Sequence, residues 1–280
     1  MSIKVIADST CDLPAELLER YDIAILPLSI NKDGQFYKDG IEITPMDIFA
    51  HVDAGGNLCS TAAANVDELT RCFERYRRRY DEIVCVTISA EMSSCYQNAS
   101  LAAKSFSNVY VVDSRNLSSA QGLITLHAAR LAEKGYSGKE IATLLREEAR
   151  KMQSSFLIDR LDYLKKSGRC SSIAALGANI MHLKPCIEVH DGKMRVGKKY
   201  RGSFEHCMYQ YTKELLALHP NSRTDTVFVV HPAAERAAVE ATIRALREDG
   251  RFQEIFEART GCTVACHCGP NTIGVMFLNQ

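Results

Sequence analysis

Short apolar runs alternate with helical patterns along the first half of the chain. Three runs rich in β-branched residues predict strands, at residues 4–7, 83–88 and 109–112. Apolar positions spaced three and four residues apart predict helices, at residues 66–80, 93–104, 117–134 and 138–152. Strands that alternate with helices build parallel sheets. The pattern therefore predicts an α/β, Rossmann-like domain with a parallel sheet over residues 1–153.

A hairpin interrupts this alternation within about residues 23–53. Asn31-Lys32-Asp33-Gly34 separates two stretches there, and Asp-Gly is a strong signal for a tight hairpin turn. We expect a hairpin inserted at this place in the alternation of strands and helices.

The second half of the chain follows a different pattern. A second Asp-Gly pair, Asp191-Gly192, predicts a hairpin between strands at residues 186–189 and 194–198. Further elements are predicted as helices at 204–218 and 233–248 and as strands at 226–230, 263–266 and 273–277. Hairpins mixed with long helices are typical of an α+β domain, which we assign to residues 154–280. Since no linker rich in Pro, Gly and Ser separates the halves, we expect an intimate interface with a ligand pocket between them.

The composition excludes several classes of protein. The chain has 280 residues, and its 34 Lys and Arg balance its 34 Asp and Glu. A net charge of zero lacks the basic excess of a nucleic-acid-binding protein. The first residues do not resemble a signal peptide, and Gly and Pro interrupt the uncharged stretch 260–280, so we expect a cytoplasmic protein without stable membrane insertion. The eleven cysteines, an odd number, are expected to be reduced thiols.

Polar side chains stand where the predicted parallel strands end. They are Asp8-Ser9-Thr10, Ser89 and Asp113-Ser114. In an open α/β sheet, ligands bind outside the carboxyl ends of the strands, so these residues are expected to surround one crevice. The alternative is that strand ends simply need polar loops.

Hydroxyl groups precede two of the predicted helices. Ser93 and Ser94 open the helix at 93–104, and Thr61 lies just before the helix at 66–80. A helix N-terminus with a hydroxyl donor suits an anion such as a carboxylate. The alternative is a plain helix cap. The chain has no Gly-x-Ser-x-Gly elbow, no P-loop and no Gly-x-Gly-x-x-Gly, which weakens hydrolase and nucleotide-binding hypotheses.

Two segments after residue 160 add a cation and an apolar surface. Leu161 to Arg169 predicts a short helix that ends at a left-handed Gly168, beyond which Arg169 is free to meet a carboxylate or phosphate. Residues 172–183, with Ile180 among them, are apolar or small on every helical face. Such a helix is buried either in a core or against an alkyl chain.

A local basic stretch interrupts the overall balance of charge. Its five cations are Lys193, Arg195, Lys198, Lys199 and Arg201. One interpretation is an edge strand protected by lysines. The other is a docking face for an acidic protein surface.

Cys266-His267-Cys268 invites a zinc hypothesis. On the predicted strand, however, Cys266 and Cys268 would face one way and His267 the other, and no Cys-x-x-Cys pair completes a ligand set. We expect no metal here and interpret His267 as a hydrogen-bonding residue at a strand end.

The collected segments resemble the DegV family, the fatty-acid-binding proteins that serve as lipid-carrying subunits of bacterial fatty acid kinase. The motifs that carry the resemblance are Asp8-Ser9-Thr10 with Asp12-Leu13-Pro14, the Thr61 segment, Ser89 and Ser93 with Tyr96-Gln97-Asn98-Ala99, Val112-Asp113-Ser114, Gly168-Arg169 and Ser171 with Lys184-Pro185, and His267 with Gly269-Pro270. They occur in the family's order and span nearly the whole chain.

The resemblance implies a lipid-binding protein and not an enzyme. A long-chain fatty acid would lie between the domains, its carboxylate held by the hydroxyls of Thr61 and Ser93. Arg169, Arg201 and His267 resemble the family's polar residues at the pocket mouth, where a separate kinase would phosphorylate the bound carboxylate to an acyl phosphate for phospholipid metabolism. No cofactor is implied for this chain, because ATP and metal would belong to the kinase.

Several positions depart from the family pattern. Ala62-Ala63-Ala64 replaces Ser-Gln-Pro after Thr61, Ser167 replaces a glycine before Gly168-Arg169, and Cys95 and Cys268 stand where threonine is common.

The residues themselves leave two other functions open. One is a hydrolase or transferase that uses Ser93 with His267 as base. The other is a zinc-stabilised interaction protein.

Overall fold

Strands and helices alternate through the computed structural model, which describes residues 2–176 and 183–280. The strands are β1 (Ile3–Asp8), β2 (Ala24–Leu26), β3 (Ser29–Lys32), β4 (Gln35–Lys38), β5 (Ser60–Ala62), β6 (Glu82–Thr87), β7 (Val109–Asp113), β8 (Met152–Leu157), β9 (Leu183–His190), β10 (Lys193–Arg201), β11 (Ser222–His231), β12 (Glu254–Arg259) and β13 (Ile273–Asn279). The α-helices are α1 (Ala15–Arg20), α2 (Pro45–Asp53), α3 (Val66–Tyr76), α4 (Cys95–Ala103), α5 (Ser118–Glu133), α6 (Gly138–Glu148), α7 (Leu161–Ser167), α8 (Phe204–Leu218), α9 (Arg236–Asp249) and α10 (Cys262–Cys268).

The predicted parallel sheet is confirmed, with its three predicted strands β1, β6 and β7 joined by β2, which was not predicted, in the order β2-β1-β6-β7. Successive side chains of a strand point to opposite faces of the sheet, and helices cover both faces here. Val5 and Val84 pack with residues of α5 and α6 on one face. Ile6 and Ile83 pack with residues of α3 and α4 on the other face. Near-continuous apolar strands are the expected consequence of two covered faces.

The inserted hairpin is also confirmed. Asp33 and Gly34 both have positive φ, 49° and 85°, which is the backbone that a tight turn between β3 and β4 requires. β3 also pairs with β5, so the insertion forms a separate sheet in the order β4-β3-β5. Helix α2 within it was not predicted; Thr44 and Asp47 form a capping box at its start.

The second sheet is mixed, in the order β10-β9-β8-β13-β11-β12. The predicted hairpin at Asp191-Gly192 connects β9 to β10. The prediction of a helix up to residue 152 was wrong at its end, because Met152 begins strand β8. This strand escaped the apolar pattern since it contains the buried serines Ser154 and Ser155. A tertiary contact satisfies the second of them, because Ser155 Oγ lies 2.7 Å from the Tyr211 hydroxyl oxygen.

The strand predicted at residues 263–266 is instead helix α10, so that prediction was wrong. Two carboxylates from the first half of the chain stabilise its start. Asp12 accepts the Gly261 N–H at 2.7 Å, and Asp39 accepts the N–H of Cys262 at 2.6 Å. Acceptors at these positions satisfy amide groups that a helix N-terminus leaves unpaired. The argument that placed Cys266 and His267 on opposite faces of a strand therefore fails.

The two large sheets share their cores. Val230 and Met276 of the second sheet pack in one cluster with Val86 of the first. Phe156 and Met194 join another cluster that contains Ile6. The fold class is the expected one, a parallel sheet joined to a mixed sheet with helices, while the division at residues 153 and 154 stays a prediction. Within the described ranges, no helix is both long and apolar enough to cross a membrane.

Candidate functional site

A cavity of about 220 Å³ lies between the two large sheets. Five residues singled out in the sequence line it, although they come from distant parts of the chain. They are Thr61, Ser93, Ser94, Arg169 and His267. Ile180, the sixth, lies outside the described residues. The structure therefore brings together five of the six predicted ligand-binding residues, while their roles toward a ligand stay predictions.

Thr61 and His267 meet at the polar end of this pocket. Thr61 Oγ1 lies 2.8 Å from His267 Nε2. Strand β5 fixes Thr61 by pairing it with Ile30, and the last turn of α10 carries His267. Burial and the nearby Arg169 cation lower the pKa of His267 from 6.5 to about 4, so the ring is neutral at pH 7.

The neutral ring leaves hydrogen-bonding capacity unused. His267 Nδ1 is buried without a partner among the described residues. If Nε2 carries the proton and donates it to Thr61, the hydroxyl hydrogen of Thr61 is free for another acceptor. The pair then presents a donor to the pocket.

Ser93 and Ser94 lie between β6 and α4. The Ser93 hydroxyl oxygen accepts the Cys95 N–H at 3.3 Å and lies 3.2 Å from Cys95 Sγ. Ser94 occupies the N-cap position of α4 but makes no side-chain capping bond. Ser93, one residue before the N-cap position, therefore accepts an amide hydrogen at the start of the helix and also lines the pocket.

Arg169 supplies the charge at the pocket mouth. Gly168 ends α7 in the predicted left-handed conformation, with φ of 68°, which turns the chain toward Arg169. The guanidinium donates to the Ser167 carbonyl at 2.6 Å. Arg169 is the one charged side chain among the described lining residues. A single cation beside hydroxyls and a neutral imidazole favours the anionic group of a ligand.

The rest of the pocket is largely apolar. Its apolar side chains come from strands of the mixed sheet and from the segment that follows β6, and they include Ile88, Met92, Phe156, Met194, Val230 and Met276. Sequence analysis did not identify these residues. Phe156 lies on the unpredicted strand β8, and alternation along a strand does not reveal which face lines a cavity. An apolar interior with one charged end suits an amphipathic anion.

The polar strand ends divide between two tasks. Thr10 lines the pocket. Asp8, whose pKa is raised by burial, instead accepts the Ile88 N–H at 2.8 Å and organises the loop after β6. Asp113 and Ser114 hydrogen-bond backbone groups of their own neighbourhood and do not line the pocket. Ser89, which follows β6, donates to the Gly192 carbonyl at 2.7 Å and does not line the pocket either. The expectation that all these polar residues surround the ligand crevice was therefore wrong for Ser89 and for the end of β7.

The geometry of a nucleophile and its base is not formed by Ser93 and His267. The hydrogen-bond partner of His267 is Thr61, while that of Ser93 is Cys95. No described residue orients His267 through Nδ1, as an activating base requires. Likewise, across residues 2–176 and 183–280, no three His, Cys, Asp or Glu side chains cluster closely enough to hold a metal ion.

The basic stretch lies on β10, an edge strand of the mixed sheet. Three of its cations are ion-paired: Lys193 with Glu91 at 3.2 Å, Arg195 with Glu188 at 3.5 Å and Lys198 with Glu214 at 2.7 Å. Lys199 and Arg201 are exposed. The edge-strand interpretation accounts for the position of the stretch, while Lys199 and Arg201 keep a charged surface available.

Fold and pocket together define an α/β protein with a largely apolar pocket between a parallel and a mixed sheet. The chain belongs to the DegV family: the model of this family of uncharacterised proteins matches residues 2–280.

The similarity to other proteins of the family extends along the whole chain. A fatty acid-binding protein of Thermotoga maritima is 28% identical, over 98% of this chain and 96% of its own. The fold is similar to that of a fatty-acid-binding DegV family protein from Thermus thermophilus, with a TM-score of 0.93, 27% identity and full coverage of both chains. A stearic-acid-binding protein from Eubacterium ventriosum has a TM-score of 0.84 at 26% identity and covers 99% of this chain and 98% of its own.

Proposed function

We propose that this chain binds a long-chain fatty acid in the pocket between the sheets. The observation that carries the proposal is a described lining that is mostly apolar and has one charged side chain, Arg169, together with Thr61, Ser93 and His267. The similar proteins from Thermotoga maritima, Thermus thermophilus and Eubacterium ventriosum, which bind fatty acids, support it.

The carboxylate lies at the polar end in this proposal. Thr61 donates its hydroxyl hydrogen to one carboxylate oxygen while His267 Nε2–H supports the Thr61 oxygen, and Ser93 donates to the other. The guanidinium of Arg169, at the pocket mouth, compensates the negative charge of the carboxylate. Burial of each methylene of the alkyl chain contributes about 0.8 kcal/mol, so the tail supplies most of the affinity and the hydroxyls fix its direction.

Lipid extraction and thermal unfolding test this proposal. Protein purified from cells is expected to release a fatty acid into organic solvent, identified by mass spectrometry. Delipidated protein is expected to gain thermal stability from palmitate, stearate or oleate. Protein that is always empty and gains no stability from any of these acids would overturn the proposal.

A Thr61→Val variant tests the carboxylate contact, since valine keeps the shape and removes the hydroxyl. We expect at least about tenfold weaker fatty acid binding, because a hydrogen bond to a charged group is lost. The matched control is Ser60→Ala on the same strand, where the exposed serine lies outside the pocket lining. Equal affinities of the two variants would contradict the role of Thr61.

We further propose that the chain presents its fatty acid to a separate kinase in the cytoplasm. In this proposal it is a carrier that needs no cofactor of its own, because the kinase holds ATP and metal and phosphorylates the carboxylate at the pocket mouth. The exposed cations of β10, Lys199 and Arg201 with Lys198 beside them, would dock an acidic surface of the kinase.

Charge reversal tests the docking face. The double variant Lys199→Glu/Arg201→Glu is expected to bind fatty acid normally but to lose acyl phosphate formation when a fatty acid kinase and ATP are supplied. The control Lys139→Glu/Lys151→Glu reverses two exposed charges elsewhere and is expected to keep phosphorylation. Equal phosphorylation of both double variants would exclude docking through β10.

A further inference from the structure

One face of helix α10 forms a wall of the pocket. The lining includes Thr263, Val264, His267 and Cys268, which recur at the spacing of a single helical face. Thr260, one further turn back and two residues before the helix, also lines the pocket. Since a helix rises by 1.5 Å per residue, α10 extends about 10 Å along this wall. Thr260 and His267 therefore lie at its opposite ends.

Thr260 belongs to the apolar part of the lining. Its N–H donates to the His231 carbonyl at 3.2 Å. His231 stands between Val230 and Pro232, and both of these neighbours line the pocket. The hydroxyl group of Thr260 thus lies among apolar lining residues, at the end of the wall that is remote from His267.

The Thr260 hydroxyl differs from its neighbours in having no partner. Thr260 is only 6% exposed, and its Oγ1 is buried without a hydrogen bond to any described residue. The other buried threonines of the described lining each bond to a protein acceptor: Thr10 to Gln121 at 2.7 Å, Thr263 to Asp39 at 2.6 Å and Thr272 to the Cys268 carbonyl at 2.9 Å. A buried hydroxyl without a partner costs free energy, which a polar group of a ligand recovers.

We propose that the pocket selects fatty acids that carry a hydroxyl group in the middle of the tail, and that Thr260 determines this specificity. The selection rests on the proposed function, which places the carboxylate beside Thr61 and His267. From there the tail passes along α10 toward Thr260. An extended long-chain acid is longer than this wall, so a middle carbon of the tail lies beside Thr260. A hydroxyl on that carbon hydrogen-bonds Thr260 Oγ1, since each hydroxyl is able to donate and to accept.

The pairing of the two hydroxyls satisfies both partners. A hydroxylated tail that is buried against apolar side chains alone loses its hydrogen bonds to water without replacement. A plain alkyl tail leaves the Thr260 hydroxyl unpaired. Only the hydroxylated tail together with Thr260 buries no unpaired group, so the pair favours this ligand over a plain fatty acid of the same length.

Binding of three acids to the delipidated full chain tests this selection. Stearate, 10-hydroxystearate and 12-hydroxystearate are titrated into the wild type and into Thr260→Val, which keeps the shape and removes the hydroxyl. We expect the wild type to bind one hydroxystearate at least as tightly as stearate. In Thr260→Val, the affinity for that acid relative to stearate is expected to fall by about tenfold. Thr260→Ser retains a hydroxyl and is expected to keep the wild-type ratio.

Thr272→Val is the matched control, because Thr272 lines the same pocket but its hydroxyl already donates to the Cys268 carbonyl. It is expected to leave the ratio of affinities unchanged. Thermal unfolding without lipid shows that each variant is folded.

Three results would overturn the selection and leave fatty acid binding intact. They are a wild type that binds both hydroxystearates more weakly than stearate, an unchanged ratio in Thr260→Val, and an equal fall in both valine variants. A buried water at Thr260 in place of a ligand hydroxyl gives the first or the second of these results. Protein that binds none of the three acids would overturn the proposed function and the selection together.

Discussion

At the scale of single residues, the polar end of the pocket depends on how one imidazole is charged. His267 is neutral because burial withdraws it from water and Arg169 stands nearby. Its buried Nδ1 has no partner among the described residues, so a proton there would gain no hydrogen bond. Protonation of this ring therefore costs free energy in the folded protein.

This cost makes folding stability depend on pH. The pKa of His267 is lowered from 6.5 to about 4, so between these values the unfolded chain binds a proton that the folded chain does not. The contribution of His267 is fully present above pH 6.5 and is lost as pH falls toward 4. Between pH 7 and pH 5 we expect the free energy of unfolding to fall by about 2 kcal/mol more in the wild type than in His267→Gln.

Urea unfolding of the delipidated protein at both pH values measures the difference. The other titrating groups are common to the two chains and cancel in the comparison. If wild type and variant lost the same unfolding free energy between pH 7 and pH 5, the lowered pKa of His267 would be contradicted.

At the scale of elements, helix α10 is positioned by carboxylates from the other end of the chain. Asp39 accepts the backbone N–H of Cys262 and Thr263, at 2.6 and 3.0 Å, and the Thr263 hydroxyl at 2.6 Å. It also accepts the Ser9 hydroxyl at 2.8 Å. One buried carboxylate thus joins the first strand's loop, the inserted sheet and the helix that carries His267.

Removal of this carboxylate is expected to affect both folding and the pocket. Asp39→Ala leaves several buried donors unpaired, so we expect it to lower the free energy of unfolding by about 3 kcal/mol or more. We also expect weaker fatty acid binding, since His267 loses its fixed position. Chemical denaturation and ligand titration measure the two effects.

Asp47→Ala is the matched control, because Asp47 also accepts backbone and hydroxyl hydrogens at a helix start but is exposed and does not line the pocket. Its expected cost is about 1 kcal/mol, with ligand affinity unchanged. Similar losses from both substitutions would show that Asp39 is an ordinary helix cap.

At the scale of the whole molecule, the two large sheets share both their cores and their pocket. Phe228 and Met276 of the second half pack with Val5 and Ile124 of the first. The pocket takes apolar side chains from strands of the mixed sheet and from the segment that follows β6. Neither half buries all of its apolar surface by itself.

We therefore expect the delipidated chain to unfold in a single cooperative transition, although its length suits two domains. Near-ultraviolet circular dichroism of the eleven tyrosines and differential scanning calorimetry report on the whole chain, which has no tryptophan. Two separate transitions, or a calorimetric enthalpy well above the van't Hoff value, would show that the halves unfold independently.

The sequence determined the elements whose signals are local. β-branched runs between helical patterns gave the parallel sheet, and Asp33-Gly34 and Asp191-Gly192 marked two hairpins, because positive φ angles restrict the residues at tight turns. Gly168 marked the end of α7 for the same reason. Thr61, Ser93, Arg169 and His267 were found through hydroxyl and charge signals and the family resemblance.

The tertiary structure alone decided features that depend on distant partners. Residues 263–266 are helical because Asp12 and Asp39 accept the amides at the start of α10, and β8 contains Ser155, whose partner Tyr211 lies elsewhere in the chain. Likewise, no local pattern selects which strand faces line the pocket. Propensity and periodicity act within a few residues, whereas buried polar groups and cavity walls are stabilised by whatever the fold brings to them.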